Sequence, residues 1–196
     1  MSANNNFCPC RTPWQRKWLA LDVHHPKIQT TADDVEAFCR DFMKNSRDQP
    51  LFVLAGSNSS GKSHAARAIQ RWCQHLGLAA FGQTWGKTPG DVYVRWPEAV
   101  DEFNKGNDAA MDDYRKADLL ILDDIAAVDD RFKTRTHVAK LCQVLTHRED
   151  YRMFTVLTTD IQPESWREVF DQRVAERLFS HARLVNLFGV PSYRVR

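Results

Sequence analysis

The sequence predicts an α/β protein in which a parallel β-sheet of five strands is flanked by helices. The first observation is that short apolar runs alternate with longer segments whose apolar residues recur at helical spacing. The second is that several of these runs end in glycine or acidic residues, and parallel sheets bind ligands at the carboxyl ends of their strands. Alternation of strands and helices also favours right-handed crossovers between parallel strands.

The predicted strands are short apolar runs. In chain order they are LFVLAG from Leu51, DVYVRW from Asp91, DLLILDDI from Asp118, MFTVLTTD from Met153 and RLVNLF from Arg183. The runs LFVLAG and DLLILDDI are apolar without alternation, which indicates strands buried on both faces of a parallel sheet.

Helices are expected between these strands. Thr31 is expected to be the N-cap of a first helix, and Gly77 to stop the helix that follows the LFVLAG run. The segment EAVDEFNKGNDAAMDDYRKA predicts two short helices broken at Gly106. Further helices are predicted around Leu141 and over PESWREVFDQRVAERLF, where Pro163 lies near the helix start.

Length and composition indicate one ordinary globular domain. The chain has 196 residues, 43% of them hydrophobic and 27% charged, with a formal net charge of +2. A nucleic-acid partner would therefore require basic residues that are concentrated locally. The odd count of 5 cysteines favours a reducing, cytoplasmic location over a disulfide framework. We expect no signal peptide and no membrane span, because no apolar run is long enough.

Two regions differ in character. Residues 1–30 are rich in Asn, Pro, Trp, Arg and His without periodicity, and we interpret them as an N-terminal arm that docks a partner. Residues 31–196 are predicted to form the folded domain. Neither region contains an internal repeat or a low-complexity tract.

The stretch GSNSSGKS matches the phosphate-loop pattern G-x-x-x-x-G-K-[ST] between a predicted strand and a predicted helix. Glycines allow a tight turn whose N–H groups point inward, and the helix N-terminus adds partial positive charge. Lys62 is expected to contact the β- and γ-phosphates, and Ser63 to contact Mg²⁺. The predicted nucleotide-binding residues are Gly56, Ser57, Asn58, Ser59, Ser60, Gly61, Lys62, Ser63 and His64.

Acidic and polar residues at two later strand ends complete the predicted site. Asp123 is expected to hold Mg²⁺ through water, and Asp124 to orient or deprotonate the attacking water. Thr159 or Asp160, at the end of the fourth strand, is expected to lie between the phosphates and these acids. The same stretch, Thr158 to Asp160, is also compatible with a plain strand end and turn.

Arg173 and Arg177 lie four residues apart, which places them on one helix face. One interpretation is a solvated face with nearby acids as weak ion-pair partners. The other is an arginine finger, a cation that stabilises the phosphate transition state in a neighbouring subunit. The residues alone favour the first interpretation.

Four stretches together resemble a known family: GSNSSGKSHAARAI, ADLLILDDI, THREDYRMFTVLTTD and RVAERL with the later VNLFGVPSYR. Their order resembles that of AAA+ ATPases, and most closely the DnaC/DnaI helicase loaders and their IstB transposition relatives. The resemblance covers roughly residues 31–196. It implies an ATPase that binds ATP and Mg²⁺, has no C-terminal lid domain and acts as a homo-oligomer.

The resemblance also implies roles for particular residues. Arg177 corresponds to the arginine finger, with Arg173 as a possible second contact across the interface. Arg194 corresponds to sensor 2, and Asp160, with Thr159 beside it, to sensor 1. The acids end in Asp-Asp, as in the loader branch, and slow hydrolysis is expected if the shorter side chain reaches water less well.

The function implied by the resemblance is ATP-dependent loading of a replicative DNA helicase, with the helicase and single-stranded DNA as partners. One alternative is an IstB-like ATPase that regulates transposition on duplex DNA. A second alternative is a P-loop enzyme outside the AAA+ group, such as a small-molecule kinase. The last would be monomeric and indifferent to loss of Arg177.

Contacts with DNA and helicase are expected at sites that depart from the family pattern. The helices that touch single-stranded DNA in loaders correspond here to a segment with more acids than bases, so Arg131, Lys133 and Arg135 are better DNA candidates. In the arm, Trp14, Trp18 and Leu19 are the expected apolar anchors on a helicase.

A zinc site in the arm is not favoured. Cys8 and Cys10, with His24 and His25, supply four potential ligands, but C-x-C with adjacent histidines lacks the usual spacing of zinc ligands.

Overall fold

The computed structural model of the chain describes residues 26–81, 90–107, 109–125, 135–170 and 172–191. Within these ranges one parallel sheet of five strands confirms the predicted α/β architecture. The strands are β1 Leu51–Ala55, β2 Asp91–Arg95, β3 Leu119–Asp123, β4 Phe154–Thr159 and β5 Ala182–Asn186.

Helices precede and connect the strands. They are α1 Pro26–Lys44, α2 Lys62–Phe81, α3 Trp96–Asn104, α4 Ala109–Lys116, α5 Arg135–Asp150, α6 Trp166–Val169 and α7 Gln172–Ser180. A single turn of 3₁₀ helix, Pro163–Ser165, leads into α6. The described residues end at Pro191, and no helical domain follows β5 within them.

The strands lie in the order β2-β3-β4-β1-β5. The strand β4 therefore lies between β1, which precedes the phosphate-loop sequence, and β3, which ends at Asp123. Because all pairs are parallel, the carboxyl ends of β1, β3 and β4 meet at one edge of the sheet. The sequence predicted this meeting, and the strand order makes it possible.

A hydrophobic core lies on each face of the sheet, since successive residues of a strand point to opposite faces. On β1, Val53 packs with α3, α5 and α7, whereas Phe52 packs with α1 and α2. Every residue of β1 and β3 is buried, as their unbroken apolar runs predicted, and every residue of β4 is buried as well. The edge strands β2 and β5 are only partly buried.

Three predicted helix features were wrong. Thr31 is not an N-cap: α1 begins at Pro26, and the Thr31 hydroxyl donates to the Lys27 carbonyl oxygen at 2.6 Å, one helical turn back. Gly77 does not stop α2, which continues to Phe81, so helix propensity over the surrounding residues outweighs the glycine. The last helical segment is divided, because Phe170 adopts an extended backbone between α6 and α7.

Two other expectations hold. The break at Gly106 is present, with a positive φ of 80° that glycine adopts without strain. The sequence spacing also predicts one helix face for Val35, Phe38, Phe42 and Met43, and α1 buries the first three, whereas Met43 is 40% exposed.

A buried arginine joins the amino-terminal edge of the sheet to its helices. Arg148, on α5, is 1% exposed. Its guanidinium donates to the carbonyl oxygens of Tyr114, Ala117 and Phe154 at 2.8, 2.9 and 2.6 Å. Its Nε donates to the Thr155 hydroxyl at 2.8 Å. These bonds satisfy polar backbone groups at the end of α4 and the start of β4 that would otherwise be buried without partners.

We expect Arg148→Leu to lower the free energy of unfolding by about 3–5 kcal/mol, because several buried carbonyl groups would lose their donors together. Urea unfolding followed by circular dichroism measures the change. Arg71→Leu, at an exposed position of α2, is the matched control and should change the value by less than about 0.5 kcal/mol. Equal effects of the two substitutions would contradict a structural role of the Arg148 hydrogen bonds.

Candidate functional site

A cleft of about 570 Å³ opens at the carboxyl edge of the sheet. It is formed by the loop after β1, the start of α2 and the ends of β2 and β3. Its lining residues are Asn58, Ser59, Gly61, Lys62, Ser63, His64, Arg95, Asp123 and Asp124. The structure thus brings most of the predicted nucleotide- and metal-binding residues together in one cleft.

The loop after β1 requires unusual backbone geometry. Ser59 and Gly61 have positive φ values of 63° and 99°. Gly56 is required for a different reason, since a Cβ atom there would lie 2.7 Å from the Leu187 Cβ atom and 2.7 Å from the Ser60 Oγ atom. Leu187, which follows β5, therefore packs so closely against the start of the loop that only glycine fits at position 56.

Lys62 is buried within this loop, with 7% of its surface exposed. Its ammonium donates to the carbonyl oxygens of Gly56 and Ser57 at 2.6 and 2.9 Å. Burial lowers the pKa of Lys62, although Asp160, Asp124 and Asp123 act in the opposite direction. A buried ammonium whose partners are neutral carbonyl groups is well suited to accept an anion, because an anion would compensate its desolvation.

Ser60 supports the same interpretation. Its Oγ atom is buried and has no hydrogen-bond partner among the described residues. Unpaired buried hydroxyl groups are uncommon, and one that lies in a glycine-containing loop beside a buried ammonium is suited to a polar ligand. The loop therefore fits the phosphate groups of a nucleotide.

Asp123 is held by hydrogen bonds from three elements. Its Oδ1 atom accepts from the hydroxyl groups of Ser63 at 2.9 Å and Thr158 at 2.6 Å, and its Oδ2 atom accepts from the Tyr93 hydroxyl at 2.6 Å. The residue is 5% exposed. A carboxylate so fixed beside the Ser63 hydroxyl fits Mg²⁺, which proteins bind through one or two carboxylates together with substrate phosphates.

Asp124 follows in a strained backbone conformation, with a φ of 67°. Its N–H donates to the Thr158 hydroxyl at 2.9 Å, and its Oδ2 atom lies 3.7 Å from a terminal nitrogen of Arg95. Burial, then the charges of Asp160 and Asp123, raises the pKa of Asp124, while Lys62 and Arg95 oppose the shift. A carboxylate of raised basicity in the cleft is suited to accept a proton from water.

The strand β4 contributes to the cleft through Thr158, to which the sequence analysis assigned no role of its own. Thr158, rather than Thr159 or Asp160, forms the hydrogen bonds to Asp123 and Asp124. The Thr159 hydroxyl is buried and accepts from the Ile161 N–H at 3.2 Å. Asp160 acts on the site through its charge, which affects the pKa values of Lys62 and Asp124.

Tyr93 and Arg95 were also missed. Both lie on β2, where Arg95 pairs in register with Asp123. The Arg67 guanidinium stacks 3.1 Å above the centre of the Tyr93 ring, which connects α2 to β2. No local pattern identifies these residues, because their role depends on β2 being the neighbour of β3.

The two arginines of α7 lie away from this cleft. Arg177 lines a cavity beside Leu51 and Thr155, which are near the starts of β1 and β4, so it lies at the opposite edge of the sheet. The interpretation as a solvated face does not fit Arg177, whose side chain is only 21% exposed and has its Nε atom 2.5 Å from Glu149 Oε2. Arg173 is exposed and lines a separate, wider cleft.

Several predicted residues cannot be placed. Trp14, Trp18, Leu19, Cys8, Cys10, Arg131, Lys133 and Arg194 lie outside the described residues, as does the side chain of Arg135. Within the described ranges, no group of three or more His, Cys, Asp or Glu side chains is arranged to hold a metal ion. No helix in those ranges is both long and apolar enough to span a membrane.

Comparison with known proteins agrees with this geometry. No protein-family model matches the chain. A protein of Bacillus thuringiensis subsp. berliner, named as the ATP-binding protein of insertion sequence IS232, is 27% identical over 158 residues, which cover 76% of this chain and 57% of the relative. The chain thus spans little more than half of that relative's length.

Solved structures share the fold at low identity. The chain superposes on DnaI with a TM-score of 0.69 at 18% identity, covering 93% of each chain. For the DnaC helicase loader the TM-score is 0.62 at 17% identity, covering 87% of this chain and 98% of that one. For AMPPCP-bound DnaA from Aquifex aeolicus it is 0.63 at 18% identity, covering 83% of this chain and 47% of that one.

These comparisons confirm the predicted fold, that of an AAA+ P-loop NTPase. The DnaC and DnaI structures, with the insertion-sequence relative, support the resemblance to the DnaC/DnaI and IstB group.

The raised pKa of Asp124 leads to a stability prediction. Because the folded state binds the proton of this carboxyl more tightly than the unfolded chain does, ionised Asp124 destabilises the fold at neutral pH. We expect Asp124→Asn to raise the free energy of unfolding by less than about 1 kcal/mol, since the side chain is partly exposed to water. The gain should shrink as the pH falls through the pKa of Asp124 in the folded protein, and urea unfolding across this range measures it.

Two comparisons isolate the charge of Asp124. Asp101→Asn, an exposed acid on α3 outside the cleft, controls for the loss of one negative charge. Asparagine also tolerates positive φ better than most residues. A gain that is equal at all pH values would therefore assign the effect to the backbone, and would contradict the electrostatic explanation.

Proposed function

We propose that the chain is an ATPase that binds ATP with Mg²⁺ at the carboxyl edge of the sheet. The observation that carries the proposal is the fixed Asp123 carboxylate, held by Ser63, Thr158 and Tyr93 beside the Lys62 loop. The AMPPCP-bound DnaA structure and the ATP-binding name of the insertion-sequence relative support ATP as the nucleotide.

Each residue of the cleft has a distinct role in this proposal. Residues 56–64 surround the phosphate groups, with Lys62 exchanging its carbonyl partners for phosphate oxygens. Ser63 and Asp123 hold Mg²⁺, which neutralises charge on the phosphates when bound. Asp124 orients the attacking water and accepts its proton, a role suited to its raised pKa.

Other residues respond to the nucleotide without holding the metal. Asp160 is proposed as the sensor, because its charge acts on both Lys62 and Asp124. Thr158 fixes the relative position of the two acids. Arg194, as sensor 2, remains a proposal from the family resemblance.

Arg177 is proposed to act in a second copy of the chain. It lies at the edge of the sheet opposite its own cleft, so it cannot reach the nucleotide of the same chain. In a homo-oligomer it would enter the neighbouring cleft as an arginine finger, with Arg173 as an accessory contact.

The biological role that we propose is loading of a replicative DNA helicase, switched by ATP hydrolysis. The likeness to DnaI and to the DnaC helicase loader over nearly the whole of those chains supports this role. The helicase is proposed to dock at Trp14, Trp18 and Leu19, and single-stranded DNA at Arg131, Lys133 and Arg135.

A second role, regulation of transposition, is favoured by one observation. The relative at 27% identity is a protein of insertion sequence IS232. In that role an ATP-bound oligomer on duplex DNA would present a target to a transposase. The two roles share the nucleotide site and differ in the partner.

ATP hydrolysis should depend both on Lys62, at the carboxyl edge of the sheet, and on Arg177, at the opposite edge. We expect Lys62→Ala to abolish ATP binding, and Arg177→Ala to retain ATP binding but lower the hydrolysis rate by about 10³-fold, the lower range for an arginine finger. Phosphate release and fluorescent-nucleotide titration measure the two effects. Arg167→Ala, an exposed arginine of α6, is the control. A rate that is independent of protein concentration and of Arg177 would contradict the finger.

Partner binding separates the two roles. We expect the chain to co-purify with the hexameric replicative helicase of its own host, more strongly with a non-hydrolysable ATP analogue than without nucleotide. Trp14→Ala combined with Trp18→Ala should weaken this binding while leaving ATP binding intact. Absence of helicase binding in both nucleotide states, together with ATP-dependent filaments on duplex DNA, would select the transposition role instead.

A further inference from the structure

A cavity of about 270 Å³ lies at the amino-terminal edge of the sheet, opposite the nucleotide cleft. Charged side chains from α5 and from the end of α7 line it, together with the first residues of β1 and β4. Among them are Glu149, Arg177 and His181. The sequence predicts a role for Arg177 only, so the arrangement around it is new information.

The contacts of Arg177 leave part of its guanidinium available. Its Nε atom lies 2.5 Å from Glu149 Oε2, and Nη1 donates to the Arg173 carbonyl oxygen at 3.1 Å. The buried Nε atom has no hydrogen-bond partner among the described residues, so its contact with Glu149 is an ion pair. Nη2 forms no hydrogen bond within the described residues, and it is therefore available to an external anion.

Glu149 is itself held in place. Its second oxygen, Oε1, is in close contact with His181 Nδ1. The Glu149 side chain is 27% exposed and that of Arg177 is 21% exposed. An ion pair this far withdrawn from water is less screened than a surface pair, so it can restrain the arginine side chain.

We infer that Glu149 is a positioning residue for Arg177, holding its Nε side so that Nη2 faces the terminal phosphate bound by a second copy of the chain. The inference rests on the proposed function, in which Arg177 completes a neighbouring site. An unrestrained arginine samples many rotamers, and transition-state stabilisation by a cation depends on its placement. If the guanidinium is fixed before the subunits meet, the entropy of ordering the arginine side chain does not add to the activation free energy of hydrolysis.

The alternative consequence of the same contact is masking. If Glu149 withheld Arg177 from the neighbouring phosphate, removing its charge would accelerate hydrolysis. The free Nη2 atom argues against masking, because the pair engages only the proximal side of the guanidinium. The two consequences predict rate changes of opposite sign.

Glu149→Gln tests the inference in the full-length chain, because it keeps the shape of the side chain and removes the charge. We expect kcat for ATP hydrolysis to fall about 10- to 100-fold, the range for a misplaced catalytic group, with KM for ATP unchanged. Glu149→Asp, which keeps the charge, should recover part of the rate. Glu36→Gln, which removes another ion-paired glutamate, on α1, is the matched control.

A mixing experiment distinguishes an effect on the neighbour from an effect within one subunit. Glu149→Gln subunits keep an intact nucleotide cleft, and Lys62→Ala subunits keep an intact Glu149 and Arg177. Mixing the inactive Lys62→Ala variant with the slowed Glu149→Gln variant should therefore raise hydrolysis at the interfaces where a Lys62→Ala subunit faces the cleft of a Glu149→Gln subunit. Loss of folding, monitored by thermal unfolding, would not be restored by mixing.

The reference mixture is Arg177→Ala with Lys62→Ala. If it stays inactive, the proposed action of Arg177 across the interface fails, and the role of Glu149 fails with it. If it is active while Glu149→Gln alone is unimpaired, is faster than the unmodified chain, or is not restored by Lys62→Ala, only the positioning role of Glu149 is overturned.

Discussion

The hydrogen bond from the Thr158 hydroxyl to Asp123, 2.6 Å long and fully buried, is the contact on which the rest of the cleft depends. The same hydroxyl accepts the Asp124 N–H, and the Thr158 carbonyl oxygen accepts the Ile125 N–H. One residue of β4 thereby fixes where β3 ends and how the chain turns after it. The positive φ of Asp124 is maintained by these bonds, which orient its carboxylate toward the cleft.

The residues that the sequence predicts correctly are those whose function depends on short-range spacing. Residues Gly56 to Ser63 lie between a strand and a helix that are their immediate neighbours in the sequence. The local pattern alone therefore places Lys62 beside its carbonyl partners. Asp123 ends an apolar run and was found for the same reason. Tyr93, Arg95 and Thr158 could not be found in this way, because their roles arise from the strand order and register, which no local pattern contains.

Helix boundaries show the same division between local and tertiary effects. Thr31 is a residue type that is common at N-caps, but α1 begins at Pro26. The Lys27 ammonium in this first turn donates to the carbonyl oxygen of Phe188, which follows β5. Gly77 is a residue type that is common at helix ends, but α2 continues beyond it to Phe81. The prediction that Pro163 lies near a helix start is confirmed. The division of the helix after it was not predicted, and it occurs at Phe170, which has an extended backbone and a side chain buried in the core. In each case long-range packing or neighbouring residues decided the boundary.

Burial of charge alone does not identify a functional residue in this fold. Arg148 is more deeply buried than Lys62, but all three of its guanidinium nitrogens donate to carbonyl or hydroxyl oxygens of its own chain. Among the described residues, Lys62 donates to two loop carbonyl groups next to an unpaired Ser60 hydroxyl, and Arg177 is engaged on one side of its guanidinium. The residues proposed to act on phosphate are thus those whose hydrogen-bonding capacity the fold leaves incomplete. Lys62 and Arg177 lie at opposite edges of the sheet, so in the proposed oligomer one chain would complete the site of another and not its own.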